Sequence, residues 1–258
     1  MATATVQDKL IEKWFKDDTY DVLDKDISKK EYDNKLIAWL DVLGMSKKIM
    51  ESGKSDSGAE DIIKNIEKLR NCVENSCNFL IRQDKLDYIQ LNDGFVIVSE
   101  LDCIDDLCKI LCEIQWKVLL EIKMSIRGAL TAGQVITNND PKVIIGPGFI
   151  NAYNLEDENA IFPRVLFSDN IYKYIEKKNI KFSYITKDVD NLKYLDFFKY
   201  ELELEDDFKN FDYKLKVHGI KEYVNENYNL HINSNTNIAQ KYGWIISKLS
   251  ILKININR

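Results

Sequence analysis

The tripeptide Asn92-Asp93-Gly94 stands between two short apolar runs, LDYIQL and FVIVS. Asn-Asp-Gly residues accept the positive φ of a tight turn, so residues 86–100 predict an antiparallel hairpin. A lone hairpin is marginal in water and needs further strands and a covering layer. A third strand is at hand in KLIAWLDVLG, which reads as buried over residues 35–43. It carries one acid, Asp41, and passes through Gly44 into a helix beginning at Met45. A carboxylate in so apolar a strand is costly unless something compensates it. Asp41 therefore either caps the helix that follows or holds a cation.

The remaining elements follow from periodicity. ESGKSDSGAE, residues 51–60, is a loop by composition. Apolar residues at 62, 66, 69, 73, 77 and 80 predict a helix over 61–83, and CIDDLCKILCEIQWKVLLEI predicts a second over 103–122. SIRGALTAGQVIT, 125–137, is a strand, residues 138–141 a turn, and KVIIGPGF, 142–149, the returning strand. A helix opens at residue 150, and a further strand and helix follow from FPRVLFS. The order is βαββαβ with an extra arm. It predicts an α+β, ferredoxin-like palm core with helices on one face of the sheet. The first strand then lies beside the hairpin, so that Asp41 and Asp93 meet at one end. The domain plan is a lead-in over 1–34 with a short helix at 7–16, a core over 35–168, and a C-terminal α/β extension over 169–258. The extension is read as an added strand or two plus a closing helix over 236–249 with Trp244 facing inward.

Composition narrows the function. A net charge of −6 argues against a broad nucleic-acid-binding surface. No run approaches the ~20 apolar residues of a membrane span, and the N-terminal stretch has no apolar core like a secretory signal. The expectation is a cytoplasmic protein that binds neither nucleic acid nor membrane. The five cysteines lack paired C-x-x-C spacing and read as small core residues in a reducing compartment.

Two converging carboxylates would repel one another, and a divalent ion removes that conflict. Magnesium takes oxygen ligands and commonly completes its shell with phosphates. Val42, Leu43, Gly44, Met45 and Ser46 offer successive backbone N–H groups at a helix start, a suitable cradle for a polyphosphate. Alternatively, Asp41 is only a cap and Asn-Asp-Gly only a turn.

These residues resemble a known family. LDVLG and LNDGFVIVS are similar to the two metal motifs of class III nucleotidyl cyclases, SIRGALTAGQV to their dimer-arm strand with Arg127-Gly128, and GPGFINAYNLE to the segment opening the next helix. The likeness spans roughly residues 35–168. A closer resemblance is to the pyrimidine cyclases of bacterial Pycsar anti-phage systems, in the LDVLG, RGALTAGQ, GPGFINAYNLE and FPRVLFS segments and in the closing KYGWIISKL. The resemblance implies conversion of UTP or CTP, UTP ahead of CTP, to a 3′,5′-cyclic monophosphate and pyrophosphate. It also implies two Mg or Mn ions per site held by Asp41, Asp93 and the Val42 carbonyl, a homodimer, and a separate effector protein activated by the cyclic product.

The sequence departs from adenylyl cyclases at the base-reading positions. Their adenine-holding lysine aligns with Ile89 and their acidic partner with Val143. A site without these polar groups does not read adenine in that way. The asparagine and transition-state arginine of their helix align with Ile150 and Asn154. Arg127 is then the expected phosphate contact, Arg164 is expected to be structural, and Tyr153 and Asn154 are candidates for the base pocket. Two other readings remain open: a non-catalytic nucleotide-sensing or dimerising module on the same fold, and a palm-type cyclic-oligonucleotide synthase.

Overall fold

A computed structural model describes residues 32–54, 58–80, 85–204 and 211–252 of the 258. The helix expected at 7–16 lies outside the described residues. Strands β1 (Asp33–Leu43), β2 (Leu86–Leu91), β3 (Gly94–Ser99), β4 (Ser125–Asn139), β6 (Val165–Phe167), β7 (Ile185–Lys187) and β8 (Lys193–Leu195) form a sheet in the order β2-β3-β1-β4-β6-β8-β7. The short β5 (Lys142–Ile145) pairs with the outer half of β4 to make the arm. β1 is antiparallel to both β3 and β4, whereas β6 runs parallel to β4. The α+β palm topology expected from the element order is the one observed.

β1 reads as a continuous apolar run because both faces are covered. Leu36, Ala38, Leu40 and Val42 enter the main core, while Ile37 and Trp39 enter a second cluster with Val96, Val98, Val135, Ile144 and Ala152. The main core is capped by α2 (Gly58–Leu80), by α3 (Ile104–Ile122) and by the C-terminal helices. The second cluster lies under α4 (Pro147–Asn159). The helices thus occupy both faces, not one. α4 starts at Pro147 and not at residue 150, and the returning strand stops at Ile145. Proline suits the first helical turn, where its missing N–H leaves nothing unpaired. Small residues let α4 sit close: a Cβ on Gly148 would fall 2.7 Å from Ile37 Cδ1 and 3.0 Å from the Gly133 backbone.

All five cysteines are free and buried, as the spacing predicted. Burial pushes the Cys77 thiol up to about 12, so at neutral pH it is an inert core group.

The extension adds α5 (Asp169–Lys177), β7, β8, α6 (Phe197–Glu203), α7 (Phe211–His231) and α8 (Thr236–Leu249). The closing helix falls where expected, with Trp244 buried and Asn235 accepting the Ile238 N–H at its start (3.1 Å). α7 was not expected. Among its described side chains, a narrow stripe of Val217, Ile220 and Val224 is fully buried amid alternating charge. Arg164 locks the extension to the core. Its fully buried guanidinium pairs with Asp188 and Asp190, lies against the Phe162 and Tyr194 rings, and shares Asp188 with Trp244 Nε1 (2.7 Å). Among the described residues, no helix is long and apolar enough to cross a membrane.

Candidate active site

Two glycines set the seam from which the site rises. β3 and β4 flank β1, and each has a glycine where it passes Trp39 and Leu40. A Cβ on Gly94 would fall 2.3 Å from the Trp39 ring and 2.9 Å from the Leu40 carbonyl oxygen; one on Gly128 would fall 2.3 Å from the Trp39 carbonyl oxygen. The glycines of the Asn-Asp-Gly and Arg-Gly segments are thus sites of close strand approach.

One residue beyond this seam stand the acids. Asp41 pairs across the strands with Arg127 on one side. On the other, the residue after the Leu40–Phe95 pair is opposite Gly94, the neighbour of Asp93. Asp41 follows the last β1–β3 pair and Asp93 stands in the turn just before Gly94, so the two acids lie at neighbouring strand ends. Asp93 occupies a two-residue turn opened by Asn92 at φ 55°, and accepts a hydrogen bond from Ser46 Oγ at 3.2 Å. That contact ties the hairpin tip to the start of α1 (Met45–Ser52).

Asp41 does not cap α1. The N-cap is Gly44, at φ 85°, and no side chain caps the helix. The first-turn N–H groups are therefore available to an anion. The Met45 side chain is fully buried and Val42 nearly so, so these two positions face the site with backbone only.

Behind Asp41 lies a polar chain. Arg127 Nε donates to Asp41 Oδ2 at 2.9 Å, and Arg127 Nη1 to the Ala160 carbonyl at 3.3 Å. Arg127 also lies 2.6 Å from Glu156 Oε1 as an ion pair, while Trp39 Nε1 donates to Glu156 Oε2 at 3.1 Å. The single Nε proton points at Asp41, so Glu156 Oε1 is buried with no hydrogen-bond partner among the described residues. Burial, with the negative charge of Asp41 adding to it, raises the Glu156 carboxyl to about 7 against the pull of Arg127. From α8, Lys241 lies within the field of Arg127, Asp41 and Glu156; burial, then Arg127, lowers its pKa.

Of the other predicted residues, Tyr153 and Asn154 are on the exposed side of α4, with the Tyr153 ring 5.8 Å from that of Trp39. Ile89 packs partly buried against the second cluster, and Val143 is half-buried on β5. Sequence reasoning missed Glu156 and Lys241. Both lie in segments that drew notice, AYNLE and KYGWIISKL, but their approach to Asp41 depends on packing across more than a hundred residues.

Among solved structures, the monomeric guanylyl cyclase domain of the RhoGC fusion protein from the aquatic fungus Blastocladiella emersonii is similar over 63% of this chain and 94% of its own, at 16% identity and a TM-score of 0.50. The fold is that of the class III nucleotidyl cyclase domains. The adenylyl cyclase CyaB from P. aeruginosa is similar over 64% of this chain and 95% of its own, at 17% identity and a TM-score of 0.42. The guanylyl cyclase Cya2 is similar over 62% and 83%, at 12% identity and a TM-score of 0.43. No family model and no curated protein matches the chain. Within the cyclase fold, the donors at the end of β1 are all oxygens. Among the described residues no three His, Cys, Asp or Glu side chains converge on one point. Two carboxylates plus a backbone carbonyl fit a hard cation whose shell is completed by phosphate oxygens.

Proposed function

We propose that the protein is a metal-dependent nucleotidyl cyclase. It converts a pyrimidine nucleoside triphosphate, UTP ahead of CTP, to its 3′,5′-cyclic monophosphate and pyrophosphate. What supports this reading is a cyclase fold in which Asp41 stands near the end of the central strand and Asp93 in the turn of the adjoining hairpin. Asp41, Asp93 and the Val42 carbonyl would hold two Mg or Mn ions. Those ions, when bound, lower the pKa of the ribose 3′-hydroxyl and offset charge on the leaving group. The N–H groups of Leu43, Gly44, Met45 and Ser46 receive the polyphosphate. Arg127 leaves Asp41 to neutralise the α-phosphate as charge develops there, the kind of electrostatic work that dominates phosphoryl transfer. No histidine base is required. The apolar settings of Ile89 and Val143 support a base other than adenine, with Tyr153 and Asn154 along its pocket.

A homodimer completes the site. Ile145 on the arm and Ile150 and Tyr153 on α4 are each about half exposed, and large apolar residues at such positions favour a partner surface. The cyclic product then acts in the cytoplasm on a separate effector protein in anti-phage defence. The Arg127–Asp41 ion pair favours a second reading, in which the arginine permanently occupies the carboxylate and the domain is a non-catalytic nucleotide sensor. Incubation with each of the four NTPs and Mn, followed by mass spectrometry, separates the two. A cyclic pyrimidine monophosphate is expected from the parent, and none from Asp41→Ala or Asp93→Asn. Full turnover in either variant sinks the metal roles, and a parent with no product from any NTP sinks the cyclase.

A further inference from the structure

Arg127 stands between two carboxylates with a single Nε proton for both. It faces Asp41 across the β1–β4 ladder, and its Nε lies 2.9 Å from Asp41 Oδ2 and 2.6 Å from Glu156 Oε1. The proton points at Asp41, so Glu156 Oε1 has the shorter contact and yet no hydrogen bond among the described residues. A buried oxygen left without a donor is costly, and a carboxylate beside arginine ordinarily takes an aligned N–H. The Glu156 side chain is 3% exposed, against 25% for Arg127 and 24% for Asp41. It is also fixed in place. Trp39 Nε1 holds its other oxygen at 3.1 Å, and Trp39 packs within the second cluster. The far end of the guanidinium is anchored by Nη1 on the Ala160 carbonyl at 3.3 Å. A tilt about that anchor moves the Nε–H from one acid to the other, because both acceptors already lie at contact distance. Asp41 cannot give the same oxygen to Arg127 and to a divalent ion, and the ion's charge repels the guanidinium. An arginine turned out to water would leave Glu156 a buried charge without its partner, which is costly in turn. Pairing Arg127 with Glu156 Oε1 removes both conflicts.

We propose that Glu156 is a positioning residue, which takes the Arg127 Nε–H from Asp41 when a divalent ion claims that carboxylate. It offsets the cost of breaking the Arg127–Asp41 pair and keeps the guanidinium beside the end of β1. This role rests on the metal reading of Asp41 proposed above. Trp39 serves it by holding Oε2, which leaves Oε1 for Arg127. With Nε on Glu156 and Nη1 on Ala160, Arg127 still has Nη2 for a phosphate contact. Lys241 from α8 is a second cation in the field of both acids, and the variants below leave it untouched.

The test uses the full chain and the metal alone. Mn binding is followed by electron paramagnetic resonance at pH 8, on the alkaline side of the Glu156 carboxyl at about 7. The parent should bind Mn and Asp41→Ala should not. Glu156→Gln should bind about tenfold more weakly, because Arg127 then has no second charged acceptor to move to. In an Arg127→Gln background the same Glu156→Gln change should alter affinity by less than about twofold, since there is no arginine left to receive. The second readout is the Arg127 Nε–H resonance in heteronuclear NMR, assigned by its loss in Arg127→Lys and titrated with diamagnetic Mg. In the parent it should shift and stay protected from exchange with water; in Glu156→Gln added Mg should expose it to exchange. Circular dichroism confirms that each variant is folded. Mn binding that is absent in the parent, or survives Asp41→Ala, overturns the metal role of Asp41 and the role of Glu156 with it. Asp41-dependent binding that is indifferent to Glu156→Gln, or weakened equally with and without Arg127, overturns the role of Glu156 and leaves the metal site standing. An Nε–H that stays protected in Glu156→Gln with Mg present does the same.

Discussion

Gly94 carries two duties in one residue. It follows the aspartate of the hairpin turn, and it lets β3 approach β1 to a separation no side chain permits. Gly94→Ala should cost about 1–3 kcal/mol through overpacking against Trp39. Gly53→Ala, where nothing lies within 4 Å of the added carbon and the backbone is helical, should be near neutral; urea midpoints compare the two. Glu156 supplies a second expectation. Its carboxyl is raised from the ordinary 4.5 to about 7, so the folded chain binds its proton more tightly than the unfolded one. Stability from this group is full below about pH 4.5 and lost as pH rises through about 7. Glu156→Gln, neutral throughout, should gain on the parent between pH 5 and 8 by about 2 kcal/mol. Urea unfolding in EDTA at both pH values measures the gap, and a constant gap contradicts the assignment. The two aspartates stand out in the sequence because Asp41 interrupts an apolar strand and Asp93 sits in an Asn-Asp-Gly turn. Glu156 and Lys241 were not, because an acid or a lysine on a helix is ordinary until folding buries it.

At the scale of elements, legibility followed the strength of the apolar pattern. β1, the hairpin, α3 and α8 have dense apolar repeats and fall within a few residues of their predicted bounds. α4 was read late and on no particular face, because its inward positions are Gly148 and Ala152, which seat it by smallness. α7 escaped because its fully buried positions among the described side chains, Val217, Ile220 and Val224, leave little periodic signal. What holds this weakly patterned region is polar. Arg164 binds Asp188 and Asp190 from the β7–β8 turn, and Trp244 of α8 donates to the same Asp188. Arg164→Met leaves two acids beside a buried apolar surface and should cost about 3–5 kcal/mol. Trp244→Phe keeps the ring packing and loses one donor, for about 1 kcal/mol. Limited proteolysis should then cut α7 or α8 first in Arg164→Met, since those helices depend on the buried pair.

For the whole molecule, the two faces of the sheet are covered unequally, by a large core on one side and a small cluster on the other. One face bears α2, α3 and the C-terminal helices, and its core is closed. The other bears α4 and the short β5, and beyond them Ile145, Ile150 and Tyr153 remain 55%, 56% and 45% exposed. In the proposed homodimer this face would meet a second copy, and an isologous contact would set the two arms side by side. Ile150→Asp is the sharpest probe. Its side chain is too exposed to support the monomer fold, so the urea midpoint extrapolated to low protein concentration should be unchanged. A charge in a dimer contact has no water to solvate it. The parent should sediment as a dimer at micromolar concentration and Ile150→Asp as a monomer. If the site needs both copies, cyclic product should disappear with the dimer although Asp41, Asp93 and Arg127 are untouched. A parent that sediments as a monomer while turning over would assign the whole reaction to one chain, with Arg127 acting beside Asp41 where the strand pairing already sets it.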